Sequence, residues 1–147
     1  MSAPDPRPPV ALETPLAIAF VVAGPPATKG STVSLWAAGA GAIITRTDSA
    51  RLASWTKAVQ WSAKAARVRL VPKPAGVRVE ACFVVVAPKD PPAHPTRPPD
   101  VDKVARALLD ALTGIAYTDD AQVLDLHISK RYGPAAQTAI TIARVAP

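Results

Sequence analysis

The segment PPDVDKVARALLDALTGIAYTDDAQV, residues 98–123, concentrates negative charge in a chain that is otherwise basic. It holds five of the eleven acidic residues of the protein, namely Asp100, Asp102, Asp110, Asp119 and Asp120. Carboxylates that lie close together repel one another unless a cation, a proton or distance separates their charges. The way this segment folds therefore decides both the shape of the domain and the chemistry it can support.

A helix is predicted near the start of this segment. Pro98 and Pro99 cannot continue a helix but can precede one. Asp100 is therefore expected at or near the N-cap, where free backbone N–H groups and the helix dipole favour a carboxylate. The helix is predicted to extend to Leu112, and Gly114 closes it.

The spacing of charges along this helix indicates which face points away from the core. Asp102, Arg106 and Asp110 recur every four residues on one face, whereas the apolar residues lie towards another. The turn that follows can return Asp119 or Asp120 to the start of the helix. Three or four carboxylates are then predicted to converge.

The rest of the chain predicts one α/β or α+β domain over residues 16–147, after a disordered, proline-rich tail at residues 1–15. A continuous apolar run at residues 16–23 indicates a buried first strand. Polar and apolar residues alternate at 122–130, which indicates a half-buried strand after the turn that contains Asp119 and Asp120, here called the acidic turn. The predicted elements are strands at 16–23, 32–36, 42–46, 77–87, 122–130 and 138–145 and helices at 50–67 and 100–112.

Charge is unevenly distributed. Residues 1–99 hold 12 Lys and Arg against 5 Asp and Glu, a net of +7, and residues 100–147 hold 5 against 6, a net of −1, which together give the total of +6. This division fits a protein that grips a polyanion such as nucleic acid with one part and holds a metal with another. The single cysteine disfavours a cysteine-based zinc site and makes the cytoplasm the default compartment, and the apolar run 16–24 is too short to span a membrane.

A convergent set of carboxylates suits Mg²⁺ or Mn²⁺, which prefer oxygen ligands. Such ions can activate water and stabilise the leaving oxygen of a phosphodiester, so a basic protein with this cluster is a nuclease candidate. Each feature alone has a simpler interpretation. Asp100 suits a plain N-cap, Asp110 a surface charge or a partner of Arg106, and the Asp119–Asp120 pair a turn.

Three motifs in this order resemble the RusA family of Holliday junction resolvases, many of which are carried by phages and prophages. They are PDVDK (99–103), LDALTG (109–114) and DDAQV (119–123), and LHISKRYG (126–133) is similar to the strand that follows in the family. Near the N-terminus, FVVAGPPATKGS (20–31) resembles the family's opening strand and turn. The resemblance spans most of residues 16–133.

The resemblance implies a small mixed β-sheet packed against two main helices. It also implies an endonuclease that uses Mg²⁺, or Mn²⁺ in its place, and that cuts four-way DNA junctions by paired nicks as a homodimer. Asp100, Asp102 and Asp120 would be the catalytic metal ligands, and Asp119 would support them. A two-fold dimer suits this task because paired nicks need two sites related by symmetry.

Two positions depart from the family pattern. Lys103 stands where the family has asparagine, and Arg106 stands where it has lysine. Arginine stays charged and cannot act as a base, but it can hold phosphate or stabilise negative charge in the transition state. We expect Lys103 or Arg106 to supply the cation that the family lysine provides. The alternative is a protein that binds DNA junctions and has weakened catalysis.

Basic residues outside the acidic segment are candidates for contacts with DNA phosphates. Lys57, Lys64 and Arg67 recur at helical spacing, and Lys29 lies in the turn after the first strand. A solvated helix face explains the first three equally well. A glycosyltransferase that uses its D-x-D motif with a nucleotide sugar is a further alternative, but the chain is short for that class.

The three tryptophans and the single cysteine have predicted environments. Trp36 lies in the predicted hairpin, where it could stack on an exposed base at a junction. Trp55 is predicted in the core, and Trp61 is predicted to be partly exposed or at a dimer contact. Cys82 is predicted to be a small buried apolar group.

Overall fold

The computed structural model describes residues 17–28, 32–37, 42–47 and 49–147. Within these ranges the chain forms six strands and two helices, with a short 3-10 turn at Asp120–Gln122. In chain order they are β1 (Ile18–Ala23), β2 (Thr32–Ala37), β3 (Ala42–Thr47), α1 (Ser49–Ala65), β4 (Val77–Val85), α2 (Val101–Leu112), β5 (Val123–Tyr132) and β6 (Gln137–Arg144). Each predicted element is present, with boundaries within two residues of those predicted.

Four strands form one mixed sheet in the order β1-β6-β4-β5. β4 and β5 run parallel, whereas β6 is antiparallel to both β1 and β4. Parallel neighbours need a long crossover between them, and α2 provides it. β2 and β3 pair with each other in a separate two-stranded antiparallel ladder, as the hairpin prediction requires. The mixed sheet with two main helices confirms the predicted fold class.

The core lies between one face of the sheet and the two helices. α1 faces it with Trp55, Val59 and Ala63, which confirms that Trp55 lies in the core. The buried side chains of α2 are Val104, Ala105, Ala107, Leu108, Ala111 and Leu112. The sheet contributes alternate residues, including Phe20, Val22, Val79, Phe83, Ile140 and Ile142. Asp102 and Asp110 lie on the exposed side of α2 because its opposite side is fully committed to this core.

α2 ends where the sequence predicts. Thr113 is the C-cap, and Gly114 adopts a φ of +84°, a left-handed conformation that glycine adopts without steric cost. The Gly114 amide donates to the carbonyl oxygen of Tyr117 at 2.7 Å, which closes the turn that leads back to the sheet. This tight return brings the acidic turn beside the helix it has just left.

Cys82 is not buried, so the prediction for this residue was wrong. It lies partly exposed on the face of β4 opposite the helices, because its neighbours Ala81 and Phe83 take the two core-facing positions.

The predicted tail at residues 1–15 lies outside the described residues. Within the part of the chain that the structure describes, neither helix combines the length and apolar character needed to cross a membrane.

Candidate active site

The start of α2 presents Asp100 to solvent. Asp100 is the N-cap, as predicted, with extended backbone angles of φ −80° and ψ 139°. Its carboxylate makes no side-chain capping hydrogen bond, and it lies 3.5 Å from the Nζ atom of Lys103 instead. The carboxylate is therefore directed away from the helix N–H groups and towards a cation.

A groove lies between α2 and the edge strand β5, and we call it the acidic groove. Its volume is about 740 Å³. Its lining residues are Val101, Asp102, Ala105, Arg106, Leu109, Asp110, Asp120, Leu126 and Ile128. Asp102 and Asp120, which are eighteen residues apart in the sequence, line the same groove. The predicted convergence of three or four carboxylates on one ion is not found among the described residues.

The acidic groove also contains Asp110, which was predicted to be a surface charge or a partner of Arg106. Asp110 lies two helical turns after Asp102, which is about 12 Å along the helix axis. It therefore lies at the opposite end of α2 from Asp102. The four-residue spacing from Arg106 placed it on the correct face of α2, but only the position of the turn after α2 shows that this face meets Asp120.

Gln122 holds the acidic turn in place. Its side-chain amide donates to the carbonyl oxygens of Val71 at 3.0 Å and Ala75 at 2.9 Å. Its side-chain oxygen accepts from the backbone amides of Thr118 at 2.9 Å and Asp119 at 3.0 Å. The side chain is buried, so these four bonds fasten the turn to the loop before β4. Sequence reasoning missed this role, although the D-D-x-Q-V motif contains the residue.

Asp119 stabilises the same turn through two contacts of its carboxylate. Its carboxylate accepts from the backbone amide of Ala121 at 3.0 Å and forms an ion pair with Lys73 at 3.0 Å. The pKa of Asp119 lies below its ordinary value, because first the Ala121 amide and then the Lys73 ammonium favour the charged carboxylate. These contacts suit the supporting role predicted for Asp119.

The lowered pKa of Asp119 predicts a pH-dependent contribution to stability. The folded state favours the charged form, so this contribution is fully present above the ordinary carboxyl pKa of about 3.9. It is lost as the pH falls through the lower folded-state pKa. Asp119→Asn keeps a capping side chain but cannot titrate. Urea unfolding from about pH 7 to about pH 2 should therefore show less acid destabilisation in this variant than in wild type, and identical pH profiles would contradict the assignment.

A buried tyrosine forms the floor beneath the acidic turn. The Tyr117 hydroxyl donates to the carbonyl oxygen of Leu109 at 2.7 Å, which ties the turn back to α2. Burial raises the pKa of Tyr117 far above its ordinary value, and the negative charges of Asp120 and Asp110 add to that increase. Tyr117 therefore remains a neutral hydrogen-bond donor.

The two cations that depart from the family pattern take different positions. Lys103 pairs with Asp100 at the start of α2. Arg106 lines the acidic groove one turn after Asp102, and within the described residues it forms no ion pair with a carboxylate. The Arg106 guanidinium is therefore available to an anion that enters the groove.

Lys130 holds the loop that leads into α2, a role that the sequence did not predict. Lys130 of β5 donates to the carbonyl oxygens of Arg97 and Pro99, both at 3.0 Å. These carbonyls belong to the end of the proline-rich loop at residues 88–99, which connects β4 to α2 immediately before Asp100. Tyr132 donates to the carbonyl oxygen of His94 at 3.2 Å in the same loop. β5 therefore fixes the entry to α2, and with it the direction of Asp100 and Asp102.

Lys130→Met is expected to reduce DNA cleavage by roughly 10- to 100-fold, because small displacements of catalytic groups have effects of this size. The thermal midpoint should change little, since methionine keeps the apolar stem and the lost bonds lie near the surface. Arg131→Met is the matched control, because Arg131 lies on the opposite face of the same strand. Equal activity losses in both variants would show that Lys130 has no specific role.

The carboxylates do not form a complete metal cage. Among residues 17–28, 32–37, 42–47 and 49–147, no three His, Cys, Asp or Glu side chains lie close enough together to hold an ion. The donor set nevertheless fits Mg²⁺, which takes one or two carboxylates and completes its shell with water and substrate phosphate. Asp102 and Asp120 are hard oxygen donors of this kind, and the groove that they line has a volume of about 740 Å³.

The predicted DNA-binding residues lie apart from the acidic groove. Lys57 and Lys64 are exposed on α1, and Arg67 follows the helix with a φ of +62°. Arg67 lies with Arg69 and Arg144 along a cleft of about 400 Å³ at the end of the sheet where β1 starts and β6 ends. Lys29 lies outside the described residues, and so does the Trp36 side chain.

Comparison with known protein families matches residues 24–143 to the family described as Endodeoxyribonuclease RusA. The chain belongs to the RusA family. The matched range includes β4, α2, β5 and nearly all of β6, and therefore every residue of the acidic groove. This confirms the resemblance seen in the sequence and places the chain in a family of endodeoxyribonucleases that resolve Holliday junctions.

A curated relative supports kinship over a shorter stretch. The uncharacterized protein YqaN of Bacillus subtilis (strain 168) is 40% identical over 52 residues, which are 35% of this chain and 37% of that protein. The alignment therefore spans little more than a third of the relative's length. The name of the relative gives no activity.

Proposed function

We propose that this RusA family protein is a metal-dependent endonuclease that cuts four-way DNA junctions by paired, symmetric nicks as a homodimer. The observation that carries the proposal is the acidic groove, where α2 supplies Asp102 and the following turn supplies Asp120. Two hard-oxygen donors beside an arginine match the needs of phosphodiester hydrolysis. A homodimer supplies the second site that a symmetric pair of nicks requires.

Each residue of the groove has a definable task. Asp102 and Asp120 would hold the ion, with Asp100 at the entrance, and bound Mg²⁺ would supply Lewis acidity and activate water. Arg106 would orient a non-bridging phosphate oxygen through its planar fork. Arginine remains charged, so Arg106 cannot be the general base.

The apolar residues of the groove have a task as well. Leu126 and Ile128 line the wall contributed by β5, opposite α2. Side chains of this kind exclude water from one side of a bound phosphate, and a drier site strengthens the electrostatic contact with Arg106. Gln122 and Lys130 act at a distance from the substrate by holding the two elements that carry the aspartates.

The direct experiment is incubation with a synthetic four-way junction and with linear duplex of the same sequence, in Mg²⁺, Mn²⁺ or EDTA. The proposal expects paired nicks in the junction that require the metal and leave the duplex intact. Sedimentation of the free protein tests the homodimer separately. Metal-independent cleavage, or equal cleavage of junction and duplex, would contradict the proposal.

One observation favours a second candidate, a junction-binding protein with weakened catalysis. The Lys103 ammonium lies 3.5 Å from Asp100, where it competes with a divalent ion for the carboxylate. The family has asparagine at this position, and asparagine carries no charge. A cation in this place lowers the affinity of nearby carboxylates for a metal.

Lys103→Asn distinguishes the two roles of Lys103. If Lys103 competes with the metal, the variant should cleave the junction at lower Mg²⁺ concentration than wild type. If Lys103 stabilises negative charge in the transition state, cleavage should fall in the variant. Arg106→Ala should lose cleavage in either case, and unchanged cleavage in separate Lys103→Ala and Arg106→Ala variants would exclude both residues as the missing cation.

A further inference from the structure

The outer face of α1 carries an unusual side chain. Trp61 is 75% exposed, whereas Trp55 on the inner face of the same helix is 5% exposed. Tryptophan is large and strongly apolar, and it is rarely left in water to this extent without a partner. The core does not need Trp61, because Val59 and Ala63 fill the space beneath α1 on either side of it.

The charged residues of α1 are all basic. Lys57 lies four residues before it and Lys64 three residues after it, so all three side chains share one exposed face. The sequence of α1 contains no acidic residue. The two lysines are separated by about 10 Å along the helix, roughly three steps of a DNA strand at 3.4 Å each.

We propose that Trp61, Lys57 and Lys64 form a second DNA contact, in which the indole stacks on an unpaired base and the lysines neutralise flanking phosphates. This inference rests on the proposed function for its ligand, but it concerns a helix that contributes nothing to the acidic groove. Aromatic side chains between cations are the usual means of holding single-stranded nucleic acid. The bases of an intact duplex are stacked on one another, so the preferred partner is DNA with unpaired bases at a branch point.

A second copy of this chain fits the same face poorly. Two-fold dimers place the same patch of each subunit against its equivalent, so Lys57 and Lys64 of the two copies would approach one another. No acidic residue of α1 is available to compensate for that repulsion. A polyanion satisfies the two lysines and covers the indole at the same time.

The test measures the affinity for a four-way junction with one unpaired thymine at the branch point, in EDTA to prevent cleavage. Trp61→Ala is expected to weaken binding on the order of 10-fold, with the slope of log affinity against log salt unchanged. Trp61→Phe should retain most of the affinity, because phenylalanine still stacks. Val21→Ala, which alters an exposed apolar residue on the opposite face of the sheet, should have no effect.

The lysines are tested through the salt dependence. Lys57→Gln combined with Lys64→Gln should reduce the salt slope by about 1.8 for each subunit whose α1 contacts the DNA, which corresponds to two phosphates at about 0.9 each. Wild-type affinity in Trp61→Ala, with normal junction cleavage, would overturn the inference and leave the proposed function intact. Loss of the dimer in sedimentation of Trp61→Ala would overturn it in favour of a subunit contact, and failure of wild type to bind any DNA would overturn both proposals.

Discussion

Asp102→Asn is expected to lower the rate of junction cleavage by on the order of 1,000-fold, because a ligand to a catalytic metal accounts for several kcal/mol of transition-state stabilisation. The variant should fold normally. Asp102 lies on the exposed side of α2, and within the described residues it forms no ion pair that the substitution would break. Junction affinity should stay the same or increase, since the change removes a negative charge that faces phosphate.

The measurement is single-turnover cleavage of a labelled junction, with binding followed separately in EDTA. Asp120→Asn should behave like Asp102→Asn, because both carboxylates line the acidic groove. Glu80→Gln is the matched control, since Glu80 is exposed on the face of the sheet opposite the helices. If Asp102→Asn cleaves at the wild-type rate, the acidic groove is not the active site.

Gln122→Leu is expected to destabilise the protein by about 3 kcal/mol, although leucine is similar in size and apolar. The change removes four hydrogen bonds at a buried position and leaves two backbone carbonyls and two backbone amides without their partner. For a domain of this size the thermal midpoint should fall by roughly 10 °C. Cleavage should also fall at temperatures where the variant is still folded, because the turn that carries Asp120 is no longer fastened.

Gln60→Leu provides the comparison for that variant. Gln60 makes a single side-chain hydrogen bond, to the carbonyl oxygen of Ala111 at 3.2 Å. Its replacement by leucine is expected to lower the free energy of unfolding by about 1 kcal/mol. Thermal unfolding of the two variants, with cleavage measured well below both midpoints, separates stability from positioning. If Gln122→Leu is no less stable than Gln60→Leu, the side chain does not hold the acidic turn.

Much of the fold follows from local sequence alone. The apolar stripe of α1, the N-cap at Asp100 and the left-handed Gly114 are all consequences of residues within one or two turns of each other. The parallel pairing of β4 with β5 is less accessible, because it joins residues more than forty positions apart. Helix periodicity and capping are local properties, whereas strand order depends on which elements meet in space.

The candidate site divides in the same way. The acidic motifs predict that Asp102 and Asp120 hold a metal, and both motifs lie within the family match over residues 24–143. The roles of Gln122 and Lys130 are not evident, because the carbonyl oxygens to which they donate lie 31 to 51 positions away in the chain. A residue that acts by holding another element has no local pattern that distinguishes it from an ordinary polar side chain.

The sequence by itself determined that this protein has a helix with carboxylates on one face, an acidic turn after it, and a basic helix elsewhere. Charge, proline, glycine and the spacing of apolar residues are sufficient for those conclusions. Only the tertiary structure decided that the acidic turn lies beside the exposed face of α2, so that Asp102, Asp110 and Asp120 line one groove. Only the tertiary structure decided, too, that Trp61 is exposed between two lysines. Long-range contacts select among arrangements that the local sequence permits equally, and here the burial of one sheet face under two helices made that selection.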